Sequence, residues 1–249
     1  MKLLKSIFVL FLTLLFLLGL SISCYPLVYG TVVDQQIQSA AQVFLESTQD
    51  TAQSSSYLPD ISSPDAAATH HEDLWKAMAG YNQEIWAQRQ AGLKDPWSYQ
   101  QPAFALTEYG LDNEVFGVIS IPKLDLEMPL YLGATNQHMA DGAAILSQTS
   151  IPIGGENTNC VIAGHRGWRG AAYFRNIPEL QVGDIVTITN LWEELHYQVI
   201  ETKIINPSDV KAVHIQENKD LITLLTCHPY ASGGKQRFLV ICERSDVSS

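Results

Sequence analysis

Thr223-Leu224-Leu225-Thr226-Cys227-His228-Pro229-Tyr230 is the stretch whose reading decides the fold. A β-type apolar run from Leu221 to Thr226 ends in a cysteine just before a proline that cannot continue a ladder, so the Cys227 thiol is expected at a strand end, where a rigid sheet can aim it. Downstream, Ser232-Gly233-Gly234 reads as the centre of a hairpin loop, and Arg237 follows Cys227 by ten residues. Such a hairpin sets Cys227 and Arg237 opposite each other on adjacent antiparallel strands. Strand alternation turns His228 away from Cys227. Upstream, Ile162-Ala163-Gly164-His165-Arg166-Gly167 places a histidine after an apolar strand and between two glycines, on exposed, sharply turned backbone.

Outward from these segments, everything after Asp112 has the texture of short strands separated by turns. The runs are Val115 to Ile121, Glu127 to Tyr131, Ala143 to Leu146, Cys160 to Ala163, Ile185 to Thr189, His196 to Ile205, Leu221 to Thr226 and Arg237 to Cys242. Eight such runs predict a mainly β domain, a barrel or a sandwich. Asn136 to Asp141, Ala172 to Ile177 and Asn206 to Lys219 read as connecting loops or single-turn helices. Ahead of Asp112 the pattern is helical. Residues 31 to 50 place Val33, Ile37, Ala40, Ala41 and Phe44 at helical spacing, and residues 51 to 71 form a polar linker. A second helix is predicted from about Glu72 to Ala91, with Leu74, Met78, Tyr81, Ile85 and Trp86 on one side and Gly92 as its stop. The aperiodic segment from Gly92 to Ala105 carries Pro and aromatic residues, a combination usual in functional loops.

Composition bounds the function. The 249 residues carry 15 Lys and Arg against 26 Asp and Glu, a net charge of -11 that argues against nucleic-acid binding. Residues 1 to 29 hold two lysines and no acid, which leaves a net charge of -13 on the remainder. Ile7 to Tyr29 is an uncharged run of 23 residues, enough to cross a hydrocarbon core of about 30 Å at about 1.5 Å per residue. Lys2 and Lys5 before it predict a cytoplasmic N-terminus and an extracellular remainder. No small-x-small cleavage site follows, which favours an uncleaved anchor over a signal peptide. Nothing after Lys235 is apolar for long enough to span again, so one membrane attachment is expected. Of four cysteines, Cys24 lies at the outer end of the anchor and Cys160, Cys227 and Cys242 follow it. That is too sparse for a disulfide scaffold, and an odd number outside the membrane leaves at least one free thiol.

A strand-end thiol becomes a nucleophile when a cationic or basic neighbour favours the thiolate; a lone cysteine is more commonly a small core residue. For Cys227 the candidate partners are His165, for proton transfer, and Arg237. Cys160 and Cys242 lie inside apolar strands, where either core packing or a mutual disulfide is compatible with the sequence. His70-His71-Glu72 has no second ligand cluster nearby and reads as a solvated helix start, so no metal or other cofactor is expected. Trp75 and Trp86 read as packing anchors.

Taken together, Thr223-Leu224-Leu225-Thr226-Cys227, Ala163-Gly164-His165-Arg166-Gly167 with its His 62 residues before the Cys, and Arg237 one strand later resemble the sortase signature. The resemblance extends from about Glu114 to Glu243 and implies a closed, eight-stranded sortase-type β-barrel. Asp95-Pro96-Trp97 is similar to the lid of pilus-assembling class C sortases, which implies that Asp95 pairs with Arg237 and that Trp97 packs over Cys227. Tyr25-Pro26 after the apolar run, followed by two helices, is also class C-like; the single span is a departure, since class C members commonly carry a second. The implied division is a cytoplasmic N-terminus (1–6), a transmembrane anchor (7–29), a helical arm and linker (30–91), a lid segment (92–111) and a catalytic barrel (112–249).

The resemblance further implies a cysteine transpeptidase. Cys227 attacks the Thr carbonyl of a Leu-Pro-x-Thr-Gly-like sorting signal on a pilin or surface-protein precursor, and His165 protonates the departing Gly amine. Arg237 donates hydrogen bonds to the oxyanion or signal backbone, and Thr226 is a candidate for orienting the carbonyl. The acceptor is a pilin lysine or, in a housekeeping sortase, a peptidoglycan amine. The segment from Asn206 to Lys219 is the expected specificity wall. A papain-like arrangement would order Cys before His, the reverse of this sequence, and a rival of another class is a non-catalytic surface binding module.

Overall fold

A computed structural model describes residues 2–54, 66–93, 101–168 and 170–245. All eight predicted strands form: β1 (Val115–Ile121), β2 (Leu126–Leu132), β3 (Ala143–Ile145), β4 (Thr158–Ala163), β5 (Ile185–Asn190), β6 (Glu194–Ile205), β7 (Asp220–His228) and β8 (Gln236–Arg244). They close into a barrel in the order β1-β2-β3-β4-β7-β8-β6-β5. The pairs β2/β3 and β4/β7 are parallel, and the other neighbours are antiparallel.

The run Leu221 to Thr226 is apolar without alternation because β7 is covered on both faces. Ile222 and Leu224 point into the barrel with Phe116, Ile162, Tyr197 and Val240. Leu225 belongs to a second layer with Val161, Ala163, Leu239, Leu93 and Val213, which the short helix α3 (Asn136–Asp141) extends through Met139. That helix begins where Thr135 Oγ1 accepts the His138 amide at 3.1 Å, an ordinary N-cap.

Register settles the cysteines. Cys160 on β4 and Cys242 on β8 both stand opposite Ile222, on either side of β7. Two strand spacings put their backbones about 10 Å apart, beyond the reach of a disulfide. Both are buried free thiols whose pKa values burial pushes up.

The helices depart from expectation at their ends. α1 (Lys2–Ser54) runs unbroken where an anchor and a separate amphipathic helix were expected. Pro26 lies inside it, and Gly30 costs only about 1 kcal/mol relative to Ala, too little to stop a long helix. α1 is long and apolar enough to cross a membrane, and none of its apolar window is buried. Burial starts at Tyr29 and Gly30, and the predicted stripe Ile37, Ala41 and Phe44 then packs on the barrel, Phe44 beside Val118. α2 (Ala66–Ala87) starts six residues early, because Ala66-Ala67-Ala68 favours helix, and residues 51–54 belong to α1. The polar linker is thus shorter than the sequence suggested, and its residues 55–65 lie outside the described residues. α2 stops before Gly92, the chain leaving through Arg89 and Gln90 at φ 49° and 51°. Its predicted face holds for Leu74, Met78 and Ile85, whereas Trp75, expected to pack, is 40% exposed.

From this register, the full chain unfolded without reductant should titrate four thiols with a disulfide-type reagent. A count of two would mean that Cys160 and Cys242 are bonded.

Candidate functional site

In the parallel pair β4/β7, Thr158 stands opposite Asp220 and the match runs without a shift to Ala163 opposite Leu225, a constant offset of 62 residues. His165 precedes Cys227 by the same 62 residues, so the two emerge at one level where the strands end. Bonds at that offset continue past the end of β4. Thr226 Oγ1 donates to Gly164 O at 2.8 Å, and Arg166 Nη1 lies 2.6 Å from His228 Nδ1. Gly164 N donates to Leu225 O at 3.1 Å, and Arg166 Nη1 also donates to Cys227 O at 3.3 Å. On the other side of β7, Cys227 stands opposite Arg237 of β8, as the hairpin arithmetic predicts.

Arg237 is 5% exposed, and its Nη1 donates to Gly234 O at 2.6 Å and to Gln236 O at 3.2 Å. Gly234 adopts φ +76°, and a Cβ there would sit 3.2 Å from Arg237 Nη1 and 3.3 Å from Cys227 Sγ. Thiol and guanidinium therefore share one point of backbone, where a side chain would be strained by the φ and crowded against both groups.

His165 is half-buried between two aromatic rings, Trp168 at 5.0 Å and Tyr173 edge-on at 5.6 Å between centroids. Tyr173 takes the left-handed φ of 43°, rare for a bulky residue, and its hydroxyl donates to Ala140 O at 2.6 Å. Phe174 N donates to His165 O at 2.9 Å, folding the loop back on itself. The two glycines around His165 serve different ends. Gly167 needs its φ of +78°, whereas a Cβ on Gly164 would lie 2.5 Å from the Phe174 ring.

Burial pushes the Cys227 thiol above its ordinary pKa, and the guanidinium groups of Arg237 and, less, Arg166 pull it back. Burial alone holds His165 below the ordinary imidazole value. At neutral pH the two groups consequently rest as thiol and neutral imidazole. One proton passed from sulfur to nitrogen creates a thiolate and an imidazolium without changing the net charge of the site. Burial, then Arg166, also lowers His228, whose Nδ1 faces a donor and must be the unprotonated nitrogen.

Thus Cys227 stands level with His165 by the β4/β7 register and across from Arg237 on β8, and His228 turns to Arg166 instead, as alternation predicts. Thr226 differs from expectation: its hydroxyl is wholly buried in the β4/β7 seam and bonded to Gly164 O, so it braces the residue before His165 and does not face a carbonyl outside. Asp95 and Trp97 lie outside the described residues. Arg166, Trp168, Tyr173 and Gly234 were not singled out from sequence, although Arg166 follows His165 directly in the quoted run. Among the described residues no group of three His, Cys, Asp or Glu could hold a metal. A cleft of about 860 Å³ lies at the other end of the barrel, lined by Trp75, Trp86, Thr158 and Asp220. Seven strand positions separate Asp220 from Cys227, roughly 23 Å, so this cleft is no part of the thiol site.

A family model described as the sortase domain matches residues 119–245. Sortase D of Bacillus subtilis (strain 168) is 28% identical over 134 residues, 53% of this chain and 65% of that protein. The chain spans 65% or less of the length of the curated relatives it matches. Among solved structures, the type II crystal structure of Streptococcus agalactiae sortase C1 superposes with a TM-score of 0.66 at 29% identity, covering 74% of this chain and 96% of that one. A pilus-related sortase C of group B Streptococcus superposes with a TM-score of 0.65 at 28% identity, covering 80% of this chain and 96% of that one.

In a Cys24→Ser background, alkylation of Cys227 by neutral iodoacetamide should titrate with a midpoint above the ordinary thiol value of 9.0. Since both guanidinium groups favour the thiolate, Arg237→Met and, by less, Arg166→Met should raise the midpoint further. A downward shift in either variant contradicts this assignment of causes.

Proposed function

This chain belongs to the sortase family, and from that premise we propose that it is a membrane-anchored cysteine transpeptidase of the pilus-assembling, class C kind. The observation that carries the reading is the shared 62-residue offset, which brings a thiol and an imidazole level at the ends of two parallel strands with Arg237 directly across.

The substrate is a pilin or surface-protein precursor with a Leu-Pro-x-Thr-Gly-like sorting signal. Cys227 passes its proton to His165 and attacks the Thr carbonyl, and the tetrahedral oxyanion is met by donors from Arg237. The His165 imidazolium gives its proton to the Gly nitrogen as the Thr–Gly bond breaks, which leaves a thioacyl enzyme and a neutral imidazole. An amine, a pilin lysine in this reading, then attacks the thioester; His165 takes its proton and returns it to the Cys227 sulfur as the new amide forms. Thr226 acts behind the site, by holding Gly164.

Residues 7–29 are the anchor in this reading, with residues 1–6 cytoplasmic and the barrel (112–249) extracellular. The arm (30–91) leads to a lid segment (92–111) in which Asp95 pairs with Arg237 and Trp97 covers Cys227. An indole over the sulfur excludes water and substrate, and a carboxylate neutralises the guanidinium that would otherwise favour the thiolate. The segment from Asn206 to Lys219 forms the specificity wall.

Mass spectrometry of the full chain with a panel of sorting-signal peptides should detect a thioacyl adduct on Cys227 and none in Cys227→Ala; adduct or cleavage surviving in that variant rules the mechanism out. Offering a lysine-bearing pilin against peptidoglycan-type amines then separates pilus assembly from cell-wall attachment. Trp97→Ala and Asp95→Ala should each speed the alkylation of Cys227, and unchanged rates would remove the lid while leaving the transpeptidase intact.

A further inference from the structure

We propose that α1 is part of the active-site scaffold: the turn of helix that follows its apolar run locks the loop carrying His165, with Gly30 and Asp34 as positioning residues. β4 ends at Ala163, and the bonds that carry its pairing with β7 onward reach only Gly164 and Arg166, so the part of the loop from Trp168 on needs another support. α1 supplies the support directly. Gly30 and Gly170 meet backbone to backbone, since a Cβ on Gly30 would lie 2.5 Å from the Gly170 carbonyl carbon and one on Gly170 would strike the Pro26 carbonyl oxygen. One helical turn later, Asp34 Oδ1 accepts the Ala172 amide at 3.0 Å.

The gripped residues are the ones that matter to His165. Ala171 exchanges two backbone bonds with Trp168, at 3.2 and 3.0 Å, and Ala172 directly precedes Tyr173. α1 therefore holds the chain between the two aromatic rings that enclose the imidazole. Arg175 Nη2 closes the same segment from within the loop, donating to Gly170 O at 3.3 Å and Ala171 O at 3.0 Å. Gly30 is also the first residue after the 23-residue apolar run, so the lock sits at the outer edge of the hydrophobic span. A helix that continues without a break from that span into the lock carries the His165 loop at the membrane surface, in a set orientation.

What His165 does rests on the transpeptidase reading; whether α1 places it does not. The test uses the full chain in lipid nanodiscs with isotope-labelled histidine, so that His165 is titrated by NMR independently of turnover. Among the described residues, the charged groups bonded to the loop or standing in it are Arg166, Arg175 and Asp34, with the Cys227 thiol opposite. Asp34→Ala and Gly30→Val should free the loop, expose the imidazole to water and move its titration up toward the ordinary value. On a sorting-signal peptide they should lower kcat about tenfold or more with KM within about twofold, because misplacement of about 1 Å can cost on the order of a hundredfold. Asp34→Asn keeps an oxygen acceptor and should restore both readouts. Gln42→Ala, which breaks the 2.8 Å contact with Glu127 farther along the same helix, should change neither. An unchanged His165 titration in Asp34→Ala overturns the proposal even if Gly30→Val fails to fold, and so does an equal effect from Gln42→Ala. A wild-type chain that turns over no sorting peptide would sink the proposed function and leave the titration as the test of the lock.

Discussion

The parallel pairing of β4 with β7 is the constraint on which the site depends. Its slanted bonds hold one offset from Thr158–Asp220 to Ala163–Leu225, and side-chain contacts carry that offset past the strand ends to Arg166 and His228. Side chains alternate with period two, so a slip of one residue would exchange Cys227 for a neighbour of opposite facing. Slippage is opposed by the packing: Ile222 and Leu224 fill the barrel while Leu225 fills the outer layer, and Thr223 donates to Asn159 Oδ1 across the same seam at 2.9 Å. Core packing and site geometry are thus one requirement, because the strand that aims the thiol also carries an unbroken buried run from Leu221 to Thr226.

Burial and charge compete at the thiol. Taking Cys227 out of water favours the neutral form, and the two guanidinium groups favour the thiolate without overcoming burial. His165 is displaced the other way by the same burial, since its charged form is the protonated one. The pair rests uncharged in a protein whose residues 30–249 carry a net charge of -13. Local arginines, not overall charge, set the electrostatics of the sulfur.

A continuous α1 ties its membrane-length apolar run rigidly to the barrel. A Gly- or Ser-rich tether would leave the barrel free to turn over the membrane. A helix that buries Ile37, Ala41 and Phe44 on the barrel and meets Gly170 and Ala172 through Gly30 and Asp34 makes the two a single body.

Sequence alone was enough for what is local or nearly so. Strands were legible from short apolar runs between turn residues, and the Cys227–Arg237 pairing from counting across one hairpin. The stripe at Ile37, Ala41 and Phe44 was legible from helical spacing, and the membrane-length run from its lack of charge. The 62-residue interval between His165 and Cys227 was also visible, but it is a register only once β4 and β7 are known to be parallel neighbours. Strand order β4-β7-β8 decided that Cys160 and Cys242 stand on either side of Ile222 and cannot bond. Three-dimensional packing likewise turned the Thr226 hydroxyl into the seam, made Gly164 a matter of space beside Phe174, and set Asp34 against Ala172 across 138 residues. Periodicity and turn chemistry act over a few residues and can be read along a chain; contacts between distant segments depend on which surfaces the closed barrel leaves facing each other.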